Sequence, residues 1–153
     1  VVFISQGDIS LFSTGSYISM EFERSYPECL VKLIPGVTSF SAAAAKSKVP
    51  LAFQEEQLLI LPVPESPLKL KALLFEASYM RRVVVLLKLG NKWTWVKPLL
   101  KELGLLESCL FAENVGLVDE KIVQASELSL SARPYFSLLF IRQSRSDLIN
   151  NLI

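Results

Sequence analysis

The sequence contains no histidine among its 153 residues. Without an imidazole, this chain on its own lacks a histidine general base, a Ser-His-Asp triad and a zinc site that contains histidine. Any reaction that it catalyses must need little proton transfer from the protein, or must use carboxylate, lysine or tyrosine side chains. We identify no catalytic acid or base and no set of metal ligands in the sequence.

Cysteine, net charge and long apolar runs are also scarce. Cys29 and Cys109 both lie in apolar, strand-like surroundings, and we expect two buried, reduced thiols rather than a disulfide framework. The net charge of +1 predicts no broad attraction to nucleic acid or anionic membrane. The apolar runs are shorter than the roughly 20 residues that span a bilayer. We therefore expect a cytoplasmic protein without nucleic-acid or membrane partners.

Apolar residues, in contrast, are abundant. They form 51% of the chain, and the mean hydropathy is +0.40. This composition predicts an extensive core and permits a buried subunit interface.

Predicted strands and helices alternate along most of the chain. The predicted strands are 1–5, 29–34, 57–62, 82–89, 107–114 and 134–142. The predicted helices are 11–24, 40–47, 66–77, 91–104 and 119–126, and residues 143–153 are predicted to form a helical turn or to fray. This alternation indicates α/β layers, and the continuous apolar run "RVVVLLKL" indicates a sheet covered on both faces.

Two strand-to-helix junctions carry small polar residues. In "QGDIS", Gly7 permits close backbone approach to a ligand, and Asp8 can either cap the next helix or hold a polar group of a ligand. In "IPGVTSFSAAAA", Thr38 and Ser39 place hydroxyl groups at a helix start, where they can bind a ligand or serve only as a cap. The segment "QGDIS" is neither a P-loop nor a Rossmann fingerprint.

Together, "GDISLFSTGSY" and "IPGVTSFSAAAA" resemble the tetrapyrrole methylase family, the S-adenosylmethionine-dependent methyltransferases of corrin and sirohaem synthesis. Later segments are most similar to the branch that methylates C20 of precorrin-2 or its cobalt complex in cobalamin biosynthesis. They are "SYMRRVVVLLKLG", "WVKPLLKELGL", "CLFAENVGLVDEKI" and "PYFSLLFIR". The resemblance extends over nearly the whole chain.

The resemblance implies a two-domain α/β fold. Residues 1–37 would form the end of an N-terminal domain with a parallel sheet, and residues 38–153 a complete C-terminal α/β domain with a mixed sheet. The first motif departs from the family pattern, because Ile9 replaces the usual proline after Gly-Asp. Family members also carry a longer segment before this point, and this chain begins with Val1, so we expect a fragment of the full enzyme.

The resemblance also implies a cofactor, S-adenosylmethionine, and its contacts. The methyl group is already activated on a sulfonium, so transfer to an electron-rich meso carbon requires mainly positioning and exclusion of water. The implied cofactor contacts are Gly7, Asp8, Leu11, Thr38, Ser39, Lys88, Val115, Gly116, Pro134 and Tyr135. We expect the first and second motifs to face one another across a cleft between the two parts, with Pro134 and Tyr135 near the adenine.

Simpler interpretations stay open for several of these residues. Lys88 can be a solvated lysine at a strand end, and Tyr135 can be a core aromatic residue. For the whole chain, the alternatives are another methylase of the same family and a non-catalytic remnant that acts only as a dimerising domain. The resemblance implies a homodimer in each case and a tetrapyrrole substrate for the enzymes.

Overall fold

The computed structural model describes residues 1–143, which belong to two compact units. The first unit is Val1–Ala42, and the second begins at Ala43. The division falls inside helix α2 (Ser39–Ser47), a few residues beyond the boundary predicted at residue 37. The assignment of the two parts to the two family domains stays a prediction. Within residues 1–143, no helix has both the length and the apolar character needed to cross a membrane.

The first unit contains helix α1 (Thr14–Ser25), which starts later than predicted. Its N-terminus is fixed by Ser13, whose hydroxyl accepts a hydrogen bond of 3.1 Å from the backbone N–H of Gly15. Gly15 is buried, and a Cβ atom at this position would lie 2.6 Å from the side chain of Ile9. The chain before α1 therefore packs directly against the first turn of the helix.

The two strands predicted in the first unit are wrong. Residues 1–5 and 29–34 both have irregular structure, and neither is paired with a neighbouring strand in the part of the chain that is described. Their apolar side chains are exposed, for example Ile4 at 88% and Leu30 at 97%. Cys29 is also exposed, so the prediction of two buried thiols holds only for Cys109. An apolar run favours a strand but cannot supply the partner that a strand requires.

The second unit contains a mixed five-stranded sheet. Its strands are β1 (Gln57–Pro62), β2 (Arg82–Leu87), β3 (Cys109–Glu113), β4 (Lys121–Gln124) and β5 (Ser137–Ile141). The strand order is β1-β2-β5-β3-β4. Strands β1 and β2 are parallel, and every other neighbouring pair is antiparallel. The predicted α/β fold class with a mixed sheet is confirmed.

The interior strand β2 is covered on both faces, as its continuous apolar sequence predicted. Val83, Val84, Val85 and Leu86 are each no more than 3% exposed. Residues on one face of the sheet share a core with two helices, α3 (Pro67–Tyr79) and α4 (Trp93–Glu102). The largest fully buried side chain of this core is Trp93.

Both helices over this core follow the sequence signals closely. Ser66 caps α3 by accepting a hydrogen bond of 3.3 Å from the N–H of Lys69, and Pro67 occupies the first turn. Helix α4 continues through Pro98, and Gly104, with a φ of 69°, follows its end.

The helix predicted at residues 119–126 is wrong. Strand β4 and a 3₁₀ turn, Ala125–Glu127, occupy this segment. The β-branched pair Ile122 and Val123 fits an extended backbone, and the antiparallel register with β3 places Ala112 beside Ile122. A helical turn or frayed end was predicted for residues 143–153, of which residues 144–153 lie outside the described part of the chain.

Candidate functional site

The five cofactor contacts predicted in the second unit lie at one edge of its sheet. Strand β2 ends at Leu87, β3 ends at Glu113 and β5 begins at Ser137. The antiparallel registers place Glu113 opposite Ser137 and Leu87 opposite Leu138. The predicted residues follow or precede these strand ends directly, and we call this group the sheet-edge group: Lys88, Val115, Gly116, Pro134 and Tyr135.

Two members of the sheet-edge group are in direct contact. The ammonium of Lys88 lies 5.5 Å from the ring centroid of Tyr135, within the range of a cation–π interaction. Tyr135 is 59% exposed, so its interpretation as a core aromatic residue is wrong. The backbone N–H of Lys88 donates a hydrogen bond of 2.9 Å to the carbonyl of Ser137. This bond ties the end of β2 to the start of β5.

The hydroxyl of Ser137 fixes the turn that carries Pro134. It donates a hydrogen bond of 2.6 Å to the carbonyl of Pro134 and accepts one of 3.4 Å from the N–H of Gly90. Ser137 is only 3% exposed, and this buried hydroxyl holds two loops of the sheet edge together.

The loop that carries Val115 and Gly116 is held by a residue that the sequence analysis missed. Glu120 accepts hydrogen bonds of 2.6 Å from the N–H of Gly116 and 2.6 Å from the ammonium of Lys46. The Lys46 hydrogen bond, followed by the Gly116 hydrogen bond, lowers the pKa of Glu120 below its ordinary value. Gly116 has a φ of 87°, which favours glycine. The sequence signal that could have identified Glu120 is its position four residues after Gly116.

A buried carboxylate oxygen lies at the same edge. Oε2 of Glu113 is buried and has no hydrogen-bond partner among the described residues. The nearest cation is Arg133, whose Nη1 lies 4.0 Å away, with both side chains about seven-eighths buried, at 13% and 12% exposure. Buried polar atoms in native proteins are usually hydrogen-bonded, so this oxygen is an acceptor with spare capacity. Sequence analysis did not identify Glu113, because "CLFAEN" by itself is typical of a strand that ends in solvent.

In the first unit, the structure brings the two sequence motifs together. The N–H of Gly36 donates a hydrogen bond of 2.8 Å to Oδ2 of Asp8. A Cβ atom added at Gly36 would lie only 2.2 Å from the carbonyl oxygen of Gly7. Gly7 itself has a φ of 71°, and a Cβ atom there would lie 3.7 Å from the carbonyl oxygen of Val37. The Gly7–Asp8 turn and the residues that precede α2 are therefore in direct backbone contact.

The Asp8 carboxylate is engaged entirely within these turns. Its Oδ1 accepts hydrogen bonds from the hydroxyl of Ser10 and from the N–H of Ser10, the latter at 2.8 Å. These bonds, with the one from Gly36, lower the pKa of Asp8, and the Ser10 hydroxyl makes the largest contribution. Asp8 does not cap α1, since Ser13 does so. The contacts of the Asp8 side chain are thus with the turns themselves.

The other three predicted residues of the first unit have different surroundings. Thr38 precedes α2 and acts as its cap, since its Oγ1 accepts from the N–H of Ser41 at 3.3 Å and donates to the Ser41 hydroxyl at 2.8 Å. Ser39 is exposed at the first position of the helix. Leu11 is 36% exposed in the turn before α1. Ser39 and Leu11 thus present surface that a ligand can contact, whereas the Thr38 hydroxyl already has partners.

The sequence matches a known family over most of its length. The profile of the family Tetrapyrrole (Corrin/Porphyrin) Methylases matches residues 1–130. The chain belongs to the tetrapyrrole methylase family. Both motifs of the first unit and most of the sheet-edge group lie within the matched residues.

Curated methyltransferases are among the relatives that the sequence matches. The chain is 32% identical over 147 residues to the cobalt-precorrin-2 C(20)-methyltransferase of Salmonella typhimurium, covering 94% of this chain and 58% of that protein. It is 22% identical over 141 residues to the precorrin-2 C(20)-methyltransferase of a Sinorhizobium species, covering 92% of this chain and 55% of that protein. The chain thus spans less than two thirds of the length of these relatives.

Solved structures show the same fold. The methyltransferase CobJ is similar with a TM-score of 0.64 and 20% identity, over 90% of this chain and 62% of that one. A second similar structure is the uroporphyrin-III C-methyl transferase of Thermus thermophilus, complexed with S-adenyl homocysteine. Its TM-score is 0.56 and its identity 20%, over 90% of this chain and 63% of that one. At this level of identity the likeness establishes the tetrapyrrole methylase fold.

Proposed function

We propose that this chain is part of a methyltransferase that transfers a methyl group from S-adenosylmethionine to C20 of precorrin-2 or of its cobalt complex, in cobalamin biosynthesis. One observation carries the proposal: the 32% identity, over 94% of the chain, to a protein named cobalt-precorrin-2 C(20)-methyltransferase. The more distant Sinorhizobium relative is named for the same ring carbon.

The residues at the two candidate regions suit the chemistry of this cofactor. Gly7 is exposed and carries no side chain, and Ser39 and Leu11 are exposed residues of the same unit. At the sheet edge, the exposed ring of Tyr135 offers a stacking face for an adenine. Oε2 of Glu113 is buried beside Arg133 and has no hydrogen-bond partner among the described residues. S-adenosylmethionine, when bound, supplies a methyl group activated on a sulfonium.

The protein's part in such a transfer is mainly geometric. The sequence holds no histidine, and the displacement at a sulfonium needs neither a covalent intermediate nor a protein nucleophile. Backbone and hydroxyl groups of the two motifs would orient the donor, since holding two reactants in line lowers the entropic barrier.

Calorimetric titration of the chain with S-adenosylhomocysteine tests the cofactor part of the proposal. We expect binding that Tyr135→Ala weakens by about tenfold, the effect of losing one aromatic stacking contact. Tyr79→Ala is the matched control, because Tyr79 is a tyrosine 88% exposed at the end of α3. Equal losses in the two variants would contradict a cofactor site at the sheet edge.

A methyl-transfer assay with precorrin-2 and with its cobalt complex tests the substrate. Methylation at C20 of either compound is the expected product, identified by NMR with a labelled methyl donor. Methylation at another carbon would identify a different methylase of the family. Failure to bind both S-adenosylhomocysteine and the tetrapyrroles would favour the non-catalytic, dimerising alternative.

A further inference from the structure

The Asp8 carboxylate joins two segments that are far apart in the sequence. Its Oδ2 accepts from the N–H of Gly36, 28 residues later, while its Oδ1 accepts from the backbone and hydroxyl of Ser10. One oxygen therefore holds the Gly7–Asp8 turn in its own shape, and the other holds this turn against the chain before α2. We call these contacts the Asp8 clamp.

Steric contact at Gly36 shows how close the clamp brings the two backbones. A Cβ atom at this position would lie 2.2 Å from the carbonyl oxygen and 2.9 Å from the carbonyl carbon of Gly7. Both distances are far below van der Waals contact, and the atoms belong to the backbone, so a side chain cannot be accommodated by a rotamer change. Gly36 is thus required for proximity of the two segments.

We propose that Asp8 and Gly36 are positioning residues that set the spacing between the first motif and the start of α2, and that Asp8 acts through this clamp rather than as a ligand of the cofactor. The three donors leave a carboxylate, which has about four acceptor positions, little capacity for a ligand. The effect on cofactor binding rests on the proposed function. The clamp itself does not.

The clamp can be tested without any cofactor, through the NMR signal of the Gly36 amide. An amide that donates to a carboxylate is shifted downfield, and its shift follows the ionisation of that carboxyl group. We expect Asp8→Asn to move this signal upfield and to make its exchange with solvent severalfold faster. Glu23→Gln, which removes an exposed carboxylate of α1 in the same unit, should leave the signal unchanged. An unchanged Gly36 amide in Asp8→Asn would overturn the clamp.

Titration with S-adenosylhomocysteine then separates positioning from direct binding. We expect Gly36→Ala, which retains the Asp8 carboxylate but forces the backbones apart, to lose as much affinity as Asp8→Asn. Gly104→Ala is the control for a general loss of stability, because the φ of 69° strains an alanine there while its Cβ atom meets no atom within 4 Å. Wild-type affinity in Gly36→Ala together with weak binding in Asp8→Asn would make Asp8 a ligand and overturn the proposal.

A failure of the proposed function would give different results from a failure of the clamp. If the wild-type chain bound no S-adenosylhomocysteine while the Gly36 amide still responded to Asp8→Asn, the cofactor assignment would fail and the clamp would stand. If Gly36→Ala failed to fold, as judged by circular dichroism, the NMR comparison of Asp8→Asn with Glu23→Gln would still decide whether the clamp exists.

Discussion

Gly7 has two separable reasons to be glycine. Its φ of 71° lies in the left-handed region, where most side chains cost roughly 1–2 kcal/mol and asparagine is tolerated. Its bare backbone would also allow a cofactor to come close. These reasons predict different behaviour for different substitutions, because one concerns only the backbone angle and the other concerns the volume of a side chain.

We therefore expect Gly7→Ala to lower the free energy of unfolding by roughly 1 kcal/mol and Gly7→Asn to lower it less. Both variants should bind S-adenosylhomocysteine more weakly than wild type, because both place a Cβ atom beside the proposed cofactor. Urea unfolding and calorimetric titration measure the two effects. Wild-type affinity in Gly7→Asn would mean that only the backbone angle matters at this position.

The pKa of Asp8 provides a prediction about pH. Hydrogen bonds from Ser10 and Gly36 stabilise the ionised carboxylate, so its pKa in the folded chain lies below the ordinary value of 3.8. A carboxyl group of this kind stabilises the fold above its unfolded pKa, and this contribution is lost as the pH falls through the lower, folded pKa. Ser10→Ala removes the largest cause and should move the midpoint back towards 3.8.

Carbon NMR of the Asp8 carboxyl group over an acid titration measures both midpoints. The wild-type midpoint should lie below 3.8, with that of Ser10→Ala between the two values. A wild-type midpoint at or above 3.8 would show that the Ser10 and Gly36 bonds do not persist in solution.

At the scale of single residues, the sequence analysis singled out residues whose type and position in the chain suggested a role. It missed residues whose role is steric or is to support a loop. Gly7 and Thr38 were recognisable because the sequence predicted strand-to-helix junctions at their positions. Gly36 was not singled out, because its need to lack a side chain depends on Gly7 being beside it. Glu120 was missed because its role depends on two donors, one of which, Lys46, is 74 residues away.

Among the elements, those defined by local signals were predicted well. The bounds of β1 coincide with the prediction, and Ser66 with Pro67 marked the start of α3. Helix α4 was also predicted, and its apolar positions converge on the core through Trp93, Val96, Leu99 and Leu100.

The elements that were predicted wrongly depend on pairing with a distant strand. Strand β4 forms because β3 is beside it, and the short sequence "KIVQ" does not reveal this. Residues 1–5 show the opposite error, since their apolar pattern is suited to a strand but no neighbour pairs with it among the described residues. Propensity is a weak guide to strands because their stability comes largely from cross-strand contacts.

Trp93 provides the prediction at the scale of elements. It is fully buried in α4, and its ring centroid lies 5.5 Å from that of Phe111 in β3. Its Nε1 donates a hydrogen bond of 3.0 Å to the carbonyl of Ser129. Trp93→Ala should lower the free energy of unfolding by about 3–5 kcal/mol, since it removes a large side chain that joins helix, sheet and loop.

Urea unfolding followed by far-ultraviolet circular dichroism is the measurement. Trp95→Ala is the matched control, because Trp95 is on the same helix but only partly buried, and its cost should be clearly smaller. Equal costs for the two variants would contradict the central place of Trp93 in the core.

For the whole molecule, the composition indicated the amount of apolar surface but not its location. The core of the second unit accounts for much of it, whereas the first unit leaves many large apolar side chains exposed. They include Val2, Ile4, Leu30, Ile34 and Val37, at 69–97% exposure. Extensive exposed apolar surface often marks an interaction surface.

We therefore retain the prediction of a homodimer. Sedimentation velocity at micromolar concentration should show a species of twice the chain mass of 17.1 kDa. Because the exposed side chains are apolar, association should persist at high salt, where an interface formed by charged groups would weaken. A dilution series gives the dissociation constant, and it distinguishes a defined dimer from open-ended aggregation, in which larger species grow with concentration. A clean monomer at micromolar concentration would show that the exposed apolar side chains do not bring two copies of this chain together.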